Sequence, residues 1–391
     1  MRIAVLIYTY SETHGGAERA CSYLTRGLLA RGHEVHLFAR RFHRGAAPAG
    51  AILHEVPVTE AFSAWRYLAF AANVKALIEK GDFDVVHSFT RTTSQDVLRL
   101  GGGTHREYLR RMAPTRSLVG RLWARINPKE LVQLRLEKLG FRPGAYRRIV
   151  AVSERVKEEV VRAYGVPSGD IVVIPNGVDT QRFTPALREH RPRVRRIFGI
   201  PDADPVFLFC GNGARRKGLA FAIEAVARLR GARLMVVGDA GAEYRSLARR
   251  LGIAERVYLL GHRDAVGEYY GAADALVLPT FYDPFPNVCL EAIASGLPVI
   301  TTAVTGVAEV LTDGRDSFIV PDGGDVDAMA ARMSELADPA RREEMSRAAR
   351  ETAERYTIDR MVEANLAVYE EVLRIKGATA PAPRADPAAG P

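Results

Sequence analysis

Two carboxylates, Asp283 and Glu291, stand with seven residues between them in the stretch Tyr282-Asp-Pro-Phe-Pro-Asn-Val-Cys-Leu-Glu-Ala-Ile-Ala-Ser-Gly296. Pro284 and Pro286 disfavour helix before them, Val288 to Ala294 reads as helix, and Gly296 followed by Pro298 is a stop signal. Asp283 therefore falls just outside a helix and Glu291 about one turn inside it. The first-turn amides around Asn287, Val288 and Cys289 have no intrahelical acceptor and carry partial positive charge, which suits a diphosphate. Carboxylates on either side can accept hydrogen bonds from hydroxyls, so the pattern suits a nucleotide sugar. The same residues also fit a plainer arrangement, with Asp283 in a polar loop and Glu291 on a solvated helix face.

Two glycine-containing loops could complete such a site. In Ser11-Glu-Thr-His-Gly-Gly-Ala-Glu-Arg19, adjacent Gly15 and Gly16 follow an apolar strand and precede a helix, where backbone can approach a phosphate. A tight turn needing one positive φ explains the glycines equally. In Gly211-Asn-Gly-Ala-Arg-Arg-Lys-Gly218, Arg216 and Lys217 sit where their helix begins, opposing the macrodipole at about 0.3 to 1 kcal/mol each. A bound diphosphate would resolve that conflict, with Arg216 bridging oxygens and Lys217 acting as a point charge. Solvated bases are the alternative. Gly211, Gly213 and Asp239 also match part of a dinucleotide fingerprint, but Arg216 occupies the third glycine position, where a long side chain obstructs close packing. Nicotinamide binding is thus a secondary reading.

Other candidates are weaker. Asp82-Phe-Asp84, Asp202-Ala-Asp204 and Asp325-Val-Asp327 have a metal-binding spacing, yet the first two precede strands and the third precedes a helix, so they read as caps and turns. His87, at a strand end, and His105, after Gly101 to Gly103, are candidate bases, although a lone histidine is more often structural. Asp96, in a polar loop after strand Asp84 to Phe89, is placed on the ligand-binding side of the first sheet.

The 391 residues are too many for one ordinary domain and fit two; 47% hydrophobic and 26% charged residues are values of a globular protein. No apolar run approaches the length of a membrane span, and the apolar start reads as a buried strand rather than a leader, which points to the cytoplasm. Cys21, Cys210 and Cys289 are few and far apart, against a disulfide framework or zinc site. The net charge of +9 favours acidic partners. Much of it lies between Arg106 and Arg148, where Leu118, Val119, Leu122, Trp123 and Ile126 recur at helical spacing among bases. Two readings stay open: an amphipathic basic helix for an anionic membrane, or a packed helix with a solvated basic face. Aromatic residues in this stretch are too widely spaced for a base-stacking surface, which argues against nucleic acid.

Strand and helix patterns alternate from Ile3 to Pro175, break at Pro175-Asn-Gly-Val-Asp179 and the Pro/Arg-rich Thr184 to Arg196, and restart at Pro205. This predicts an α/β protein of two doubly wound parallel-sheet domains. Residues 1–180 form the first, 181–198 a linker and 199–355 the second. A helix over 356–376 and a disordered tail over 377–391 complete the chain.

Taken together, Gly15-Gly-Ala-Glu-Arg19, Val173-Ile-Pro-Asn-Gly-Val-Asp179, Arg216-Lys-Gly218, Val236-Val-Gly-Asp239 and the carboxylate pair with Glu291-Ala-Ile-Ala-Ser-Gly-Leu-Pro-Val299 resemble the retaining glycosyltransferase family 4, of GT-B fold. The resemblance implies a metal-independent hexosyltransferase without a cofactor, its donor a nucleoside-diphosphate sugar, UDP-linked, lying in the interdomain cleft. Sugar phosphorylases and epimerases share the fold. It implies that Arg216 and Lys217 hold the diphosphate, Asp283 the donor sugar and Glu291 the ribose, and that Gly15 and Gly16 approach the phosphates. Gly211, His262, Phe285, Asn287 and Val288 complete the donor side, and the C-terminal helix packs back on the first domain. The family usually has Glu where this chain has Asp283, and the shorter arm alters which hydroxyls it reaches. The segment Ser88 to Asp96 and the basic stretch after His105 are similar to lipopolysaccharide core glucosyltransferases. That implies a catalytic or acceptor-side role for Asp96, an acceptor-side place for His105, and a glycolipid acceptor at the inner membrane face.

Overall fold

The computed structural model describes residues 1–11, 15–43, 48–58 and 63–379. Ile3 to Ile7 form an unbroken apolar run, nearly inaccessible to solvent, the pattern of a parallel strand covered by helices on both faces. It lies in β1 (Arg2–Tyr10) and is joined by β2 (Glu34–Phe42), β3 (Ile52–Glu55), β4 (Val85–Ser88), β5 (Val97–Leu100), β6 (Arg148–Ala151) and β7 (Ile171–Val173). These make a seven-stranded sheet in the order β3-β2-β1-β4-β5-β6-β7. The second domain carries β8 (Val206–Cys210), β9 (Arg233–Val237), β10 (Val257–Gly261), β11 (Ala275–Leu278), β12 (Val299–Thr302) and β13 (Ser317–Val320), in the order β10-β9-β8-β11-β12-β13. All described ladders are parallel. In each sheet the order reverses once, between β1 and β4 and between β8 and β11, and loops leaving the carboxyl ends there diverge to open a crevice. The two crevices face each other.

The chain crosses between domains at Gly177 and returns at Thr357, and Val178 bridges Thr357. A Cβ on Gly177 would lie 2.6 Å from the Ile358 Cα, so only glycine lets the two passes lie so close. Helix Ile358–Thr379 then packs on the first domain, where Val362, Tyr369 and Val372 are buried with Ile3, Val5 and Leu24. The cysteines are buried and unpaired.

The structure departs from the sequence reading where local pattern is weak. Strand β3 is a short edge with Ile52 and Leu53 exposed, and buried Arg99 interrupts the apolar run of β5. The stretch expected to be a linker forms a 3-10 turn, Pro185–His190, and a helix, Arg191–Ile197. Pro185 and Pro192 sit in first turns, where a missing N–H costs little. Arg195 and Arg191 anchor the segment to buried Asp274 at 2.7 and 2.8 Å, making it part of the second domain. Gly377 to Thr379 are helical rather than tail, and the remainder of that tail, 380–391, lies outside the described residues.

Helix Gly16–Ala30 meets the C-terminal helix at Gly27, where a Cβ would press on both methyls of Val362. Gly27→Val should therefore cost about 1 to 3 kcal/mol by overpacking, measured as a lower urea midpoint with unchanged slope. An unchanged midpoint would mean that this helix contact does not hold the domain.

Candidate active site

A cleft of about 450 Å³ lies between the domains where the two crevices meet. The first domain supplies Gly15, Gly16 and Arg19, Gly101 and Gly102 after β5, Tyr108, and Asn176 after β7. Gly211, Arg216, Lys217, His262 and the run from Tyr282 to Val288, with Glu291, come from the second. Every residue that the family resemblance implies on the donor side thus lines one cavity: Gly15, Gly16, Gly211, Arg216, Lys217, His262, Asp283, Phe285, Asn287, Val288 and Glu291; Cys289, expected among the free first-turn amides, does not, and its N–H donates to the Pro286 carbonyl at 3.0 Å.

At its floor, the Asp283 Oδ2 accepts from Lys217 Nζ at 2.9 Å and from Arg216 Nη1 at 3.0 Å. Arg216 Nη1 also donates to the Tyr282 carbonyl at 2.7 Å. Burial pushes the Asp283 carboxyl upward, but Lys217 and Arg216 outweigh it and hold its pKa below the ordinary value. The electrostatic conflict expected at residues 216 and 217 is thus answered within the protein, by a carboxylate from the neighbouring loop. Gly218 caps the helix Leu219–Arg228, so both cations lie in the turn before it. At Gly211, φ is +133° and a Cβ would lie 2.7 Å from the Lys217 Cε, so glycine makes room for the lysine stem.

Glu291, one turn inside helix Asn287–Ala294, accepts from the Tyr270 hydroxyl at 2.9 Å and pairs with Arg19 of the first domain. Arg19 stood in the recognised glycine-loop motif without an assigned role. Tyr270 and Tyr282 lay in runs that read only as apolar element and loop, and nothing in spacing distinguished them. Arg182 and Tyr108 likewise line the cleft unforeseen.

The acceptor-side expectations change. Asp96 does not line the cleft. It immediately precedes β5, at the amino end of the sheet, where Oδ2 accepts from the Val86 amide at 2.9 Å and pairs with Lys376 at 3.3 Å. The unrecognised strand β5 carries the chain from there to the cleft, which it reaches at Gly101. His105 also lies outside the lining; it pairs with Glu130, and its ring stacks on Tyr108, which does face the cleft. His87 is wholly buried against Tyr369. Asp325 caps a helix, as its place before one predicts, whereas Asp84 accepts from the Arg2 amide of the neighbouring strand at 2.6 Å. Among the described residues no group of three His, Cys, Asp or Glu is placed to hold a metal.

Tyr282 instead connects the cleft to Glu159 of the first domain, whose Oε2 accepts its hydroxyl at 3.0 Å. Burial, with Glu107 nearby, raises the Glu159 pKa from 4.5 to about 7. The neutral acid is the form the fold accommodates, so its stabilising contribution is complete below 4.5 and is lost as pH rises through about 7. Glu159→Gln keeps an acceptor for Tyr282 and never ionises. Its melting temperature relative to the parent should rise between pH 4.5 and pH 7 and then level off. A difference independent of pH would contradict this.

Away from the cleft, helix Leu118–Ile126 buries none of its residues. Leu118 and Val119 are 80% and 79% exposed, with Leu122, Trp123 and Ile126 also open, which rules out the packed-helix reading of the basic stretch. Among the described residues no helix is long and apolar enough to cross a membrane.

Residues 14–182 match the family model of Glycosyltransferase Family 4, and residues 204–338 that of Glycosyl transferases group 1. The lipopolysaccharide glucosyltransferase WaaG of Escherichia coli is 26% identical over 82% of this chain and 86% of its own. The crystal structure of a WaaG, a glycosyltransferase involved in lipopolysaccharide biosynthesis, superposes with a TM-score of 0.79 at 24% identity, over 95% of this chain and 99% of that one. Anabaena HepE in complex with UDP and glucose gives 0.70 at 19% identity, over 94% and 99%. Two matched domains in this order, a shared fold along nearly the whole chain, and a cleft built from the family's motif residues lead to one conclusion: the chain belongs to the family 4 glycosyltransferases, enzymes of GT-B fold.

Proposed function

We propose that the protein moves a hexose, with retention, from a nucleoside-diphosphate sugar of the uridine series to a saccharide of a glycolipid such as a lipopolysaccharide core. The observation that carries this reading is the convergence of Arg216, Lys217 and the first turn of helix Asn287–Ala294 on one buried corner, with Asp283 and Glu291 on either side. Three sources of positive potential there suit a diphosphate, and the carboxylates suit the hydroxyls of sugar and ribose. The uridine series draws support from HepE, which holds UDP and glucose, and the acceptor from the relative named a lipopolysaccharide glucosyltransferase.

In this scheme the bond from the anomeric carbon to the diphosphate oxygen breaks as an acceptor hydroxyl approaches the same face, and its proton passes to the departing phosphate. Arg216, Lys217 and the helix amides stabilise the charge that develops on the leaving group. No metal or cofactor takes part. Lys217→Ala should lower turnover by about 10² to 10³-fold with any accepted donor, the usual effect of deleting one such donor. Turnover at the parental rate would remove Lys217 from the chemistry. Incubation with donor alone, and then with phosphate, separates transfer from epimerase or phosphorylase activity.

The exposed face of helix Leu118–Ile126, flanked by Arg116, Arg121 and Arg125, suits a peripheral site on the anionic inner face of the cytoplasmic membrane. Vesicles containing phosphatidylglycerol should co-float the parent but not Arg121→Gln/Arg125→Gln, while neutral vesicles carry neither. Equal flotation of parent and variant would contradict electrostatic docking.

A further inference from the structure

One buried cation of the first domain takes part in no step above. Arg99, in β5, is 3% exposed, and among the described residues its Nε and Nη1 have no hydrogen-bond partner and no carboxylate pairs with it. The ring of Phe89 lies 5.7 Å away, and the Met361 Sδ is 3.9 Å from Nη2. Burial lowers its pKa to about 10. A buried, incompletely paired guanidinium costs stability, and an apolar side chain of similar length would avoid that cost.

What Nη2 does reach is the Asn176 Oδ1, at 2.8 Å, with the Ile174 carbonyl at 3.3 Å. Asn176 Nδ2 then donates across the interdomain seam to the Asn287 Oδ1 at 2.7 Å, and Asn287 Nδ2 donates back to the Gly16 carbonyl at 3.2 Å. An amide can ordinarily turn over and exchange its oxygen and nitrogen. Here it cannot, because an arginine only donates: Arg99 requires oxygen from Asn176, which therefore offers N–H to Asn287, which therefore offers N–H to Gly16. The chain has one direction, held at both ends by groups that cannot reverse: the Arg99 guanidinium, which only donates, and the Gly16 carbonyl, which only accepts.

Its far members lie in the cleft. Asn287 opens the helix whose first turn faces the diphosphate position, and Gly16 belongs to the facing glycine loop. We propose that Arg99 is a positioning residue that fixes the Asn176 and Asn287 amides and thereby holds the glycine loop of the first domain against the donor helix of the second. The proposal rests on the donor-site reading above. It accounts for a buried cation retained at a cost in stability, and it ties domain closure to the shape of the phosphate site.

Two variants separate positioning from folding. Arg99→Met removes the directing donor together with the unpaired charge. Asn176→Asp keeps the contact to Arg99, as an ion pair, but cannot donate to Asn287, which must turn its oxygen towards the Gly16 carbonyl. Melting temperatures are measured with calorimetric binding of uridine, guanosine and adenosine diphosphates, using whichever binds the parent most tightly, and with Lys217→Ala as control. We expect both variants to melt no lower than the parent and to bind that nucleotide at least fivefold more weakly, with Arg99→Lys restoring much of the affinity.

Parental affinity in Arg99→Met and Asn176→Asp, when Lys217→Ala has lost it, would overturn the positioning role and leave the donor site standing. If no nucleotide binds the parent, or Lys217→Ala binds as the parent does, the donor reading falls and this proposal with it. Should Arg99→Met fail to fold, Arg99 is a structural cation and the proposal is wrong in its stability claim; Asn176→Asp then decides the relay by itself.

Discussion

Asp283 between Arg216 and Lys217 is the contact on which the geometry of the cleft depends. Asp283 and Lys217 are each less than a tenth exposed, and Arg216 reaches Asp283 from the cleft wall. Charges so placed persist only if paired. The cations come from the loop after β8 and the carboxylate from the loop after β11, adjacent strands that diverge at the switch point of the second sheet. The doubly wound topology is thus what makes the pairing available, and the pairing fixes where the two cations stand before any ligand arrives. Cations held in advance need little reorganisation when charge appears near them, which is the property that electrostatic catalysis requires.

The first domain also contributes polar contacts across a seam through which one buried apolar cluster runs, from Val152 and Val156 to Phe285 and Val307. Arg19 pairs with Glu291, Tyr282 with Glu159, and Glu309 of the second domain accepts the Glu154 and Arg155 amides at 2.7 and 2.8 Å, capping helix Glu154–Tyr164. Residues of both domains meet at the helix that begins with Asn287, through Arg19, Asn176 and the Gly16 carbonyl.

Much of this was legible in the chain. Long apolar strands, glycines before helices and the Pro-flanked carboxylate pair obey local rules, and Gly15, Gly16, Arg216, Lys217, Asp283, Asn287, Val288 and Glu291, read from them, line the cleft, as do Gly211, His262 and Phe285, which only the family resemblance implied. Asp96 failed for a topological reason: the loop before it returns to the amino end of the sheet before β5 starts, and β5 escaped notice because Arg99 interrupts its four residues. His105 stands behind Tyr108, three positions on in the same helix, since helix His105–Met112 turns its ring towards Glu130. Arg19, Tyr270 and Asn176 gain meaning only from partners far away in sequence, which periodicity cannot reveal. The Pro/Arg-rich segment looked like a linker because its anchor, Asp274, lies in another element altogether.

The central claim is that this cleft recognises a nucleoside diphosphate and its attached sugar together. A thermal-shift panel of the intact protein with nucleoside diphosphates, the corresponding nucleotide sugars, free nucleosides and inorganic phosphate tests it most directly, because a ligand that binds the folded state raises its melting temperature. The account predicts that one base series, in both diphosphate and sugar-linked form, raises the melting temperature in a saturable manner, while its nucleoside and phosphate alone do not. A panel in which no nucleotide shifts the transition, or in which phosphate alone shifts it as far, would contradict it.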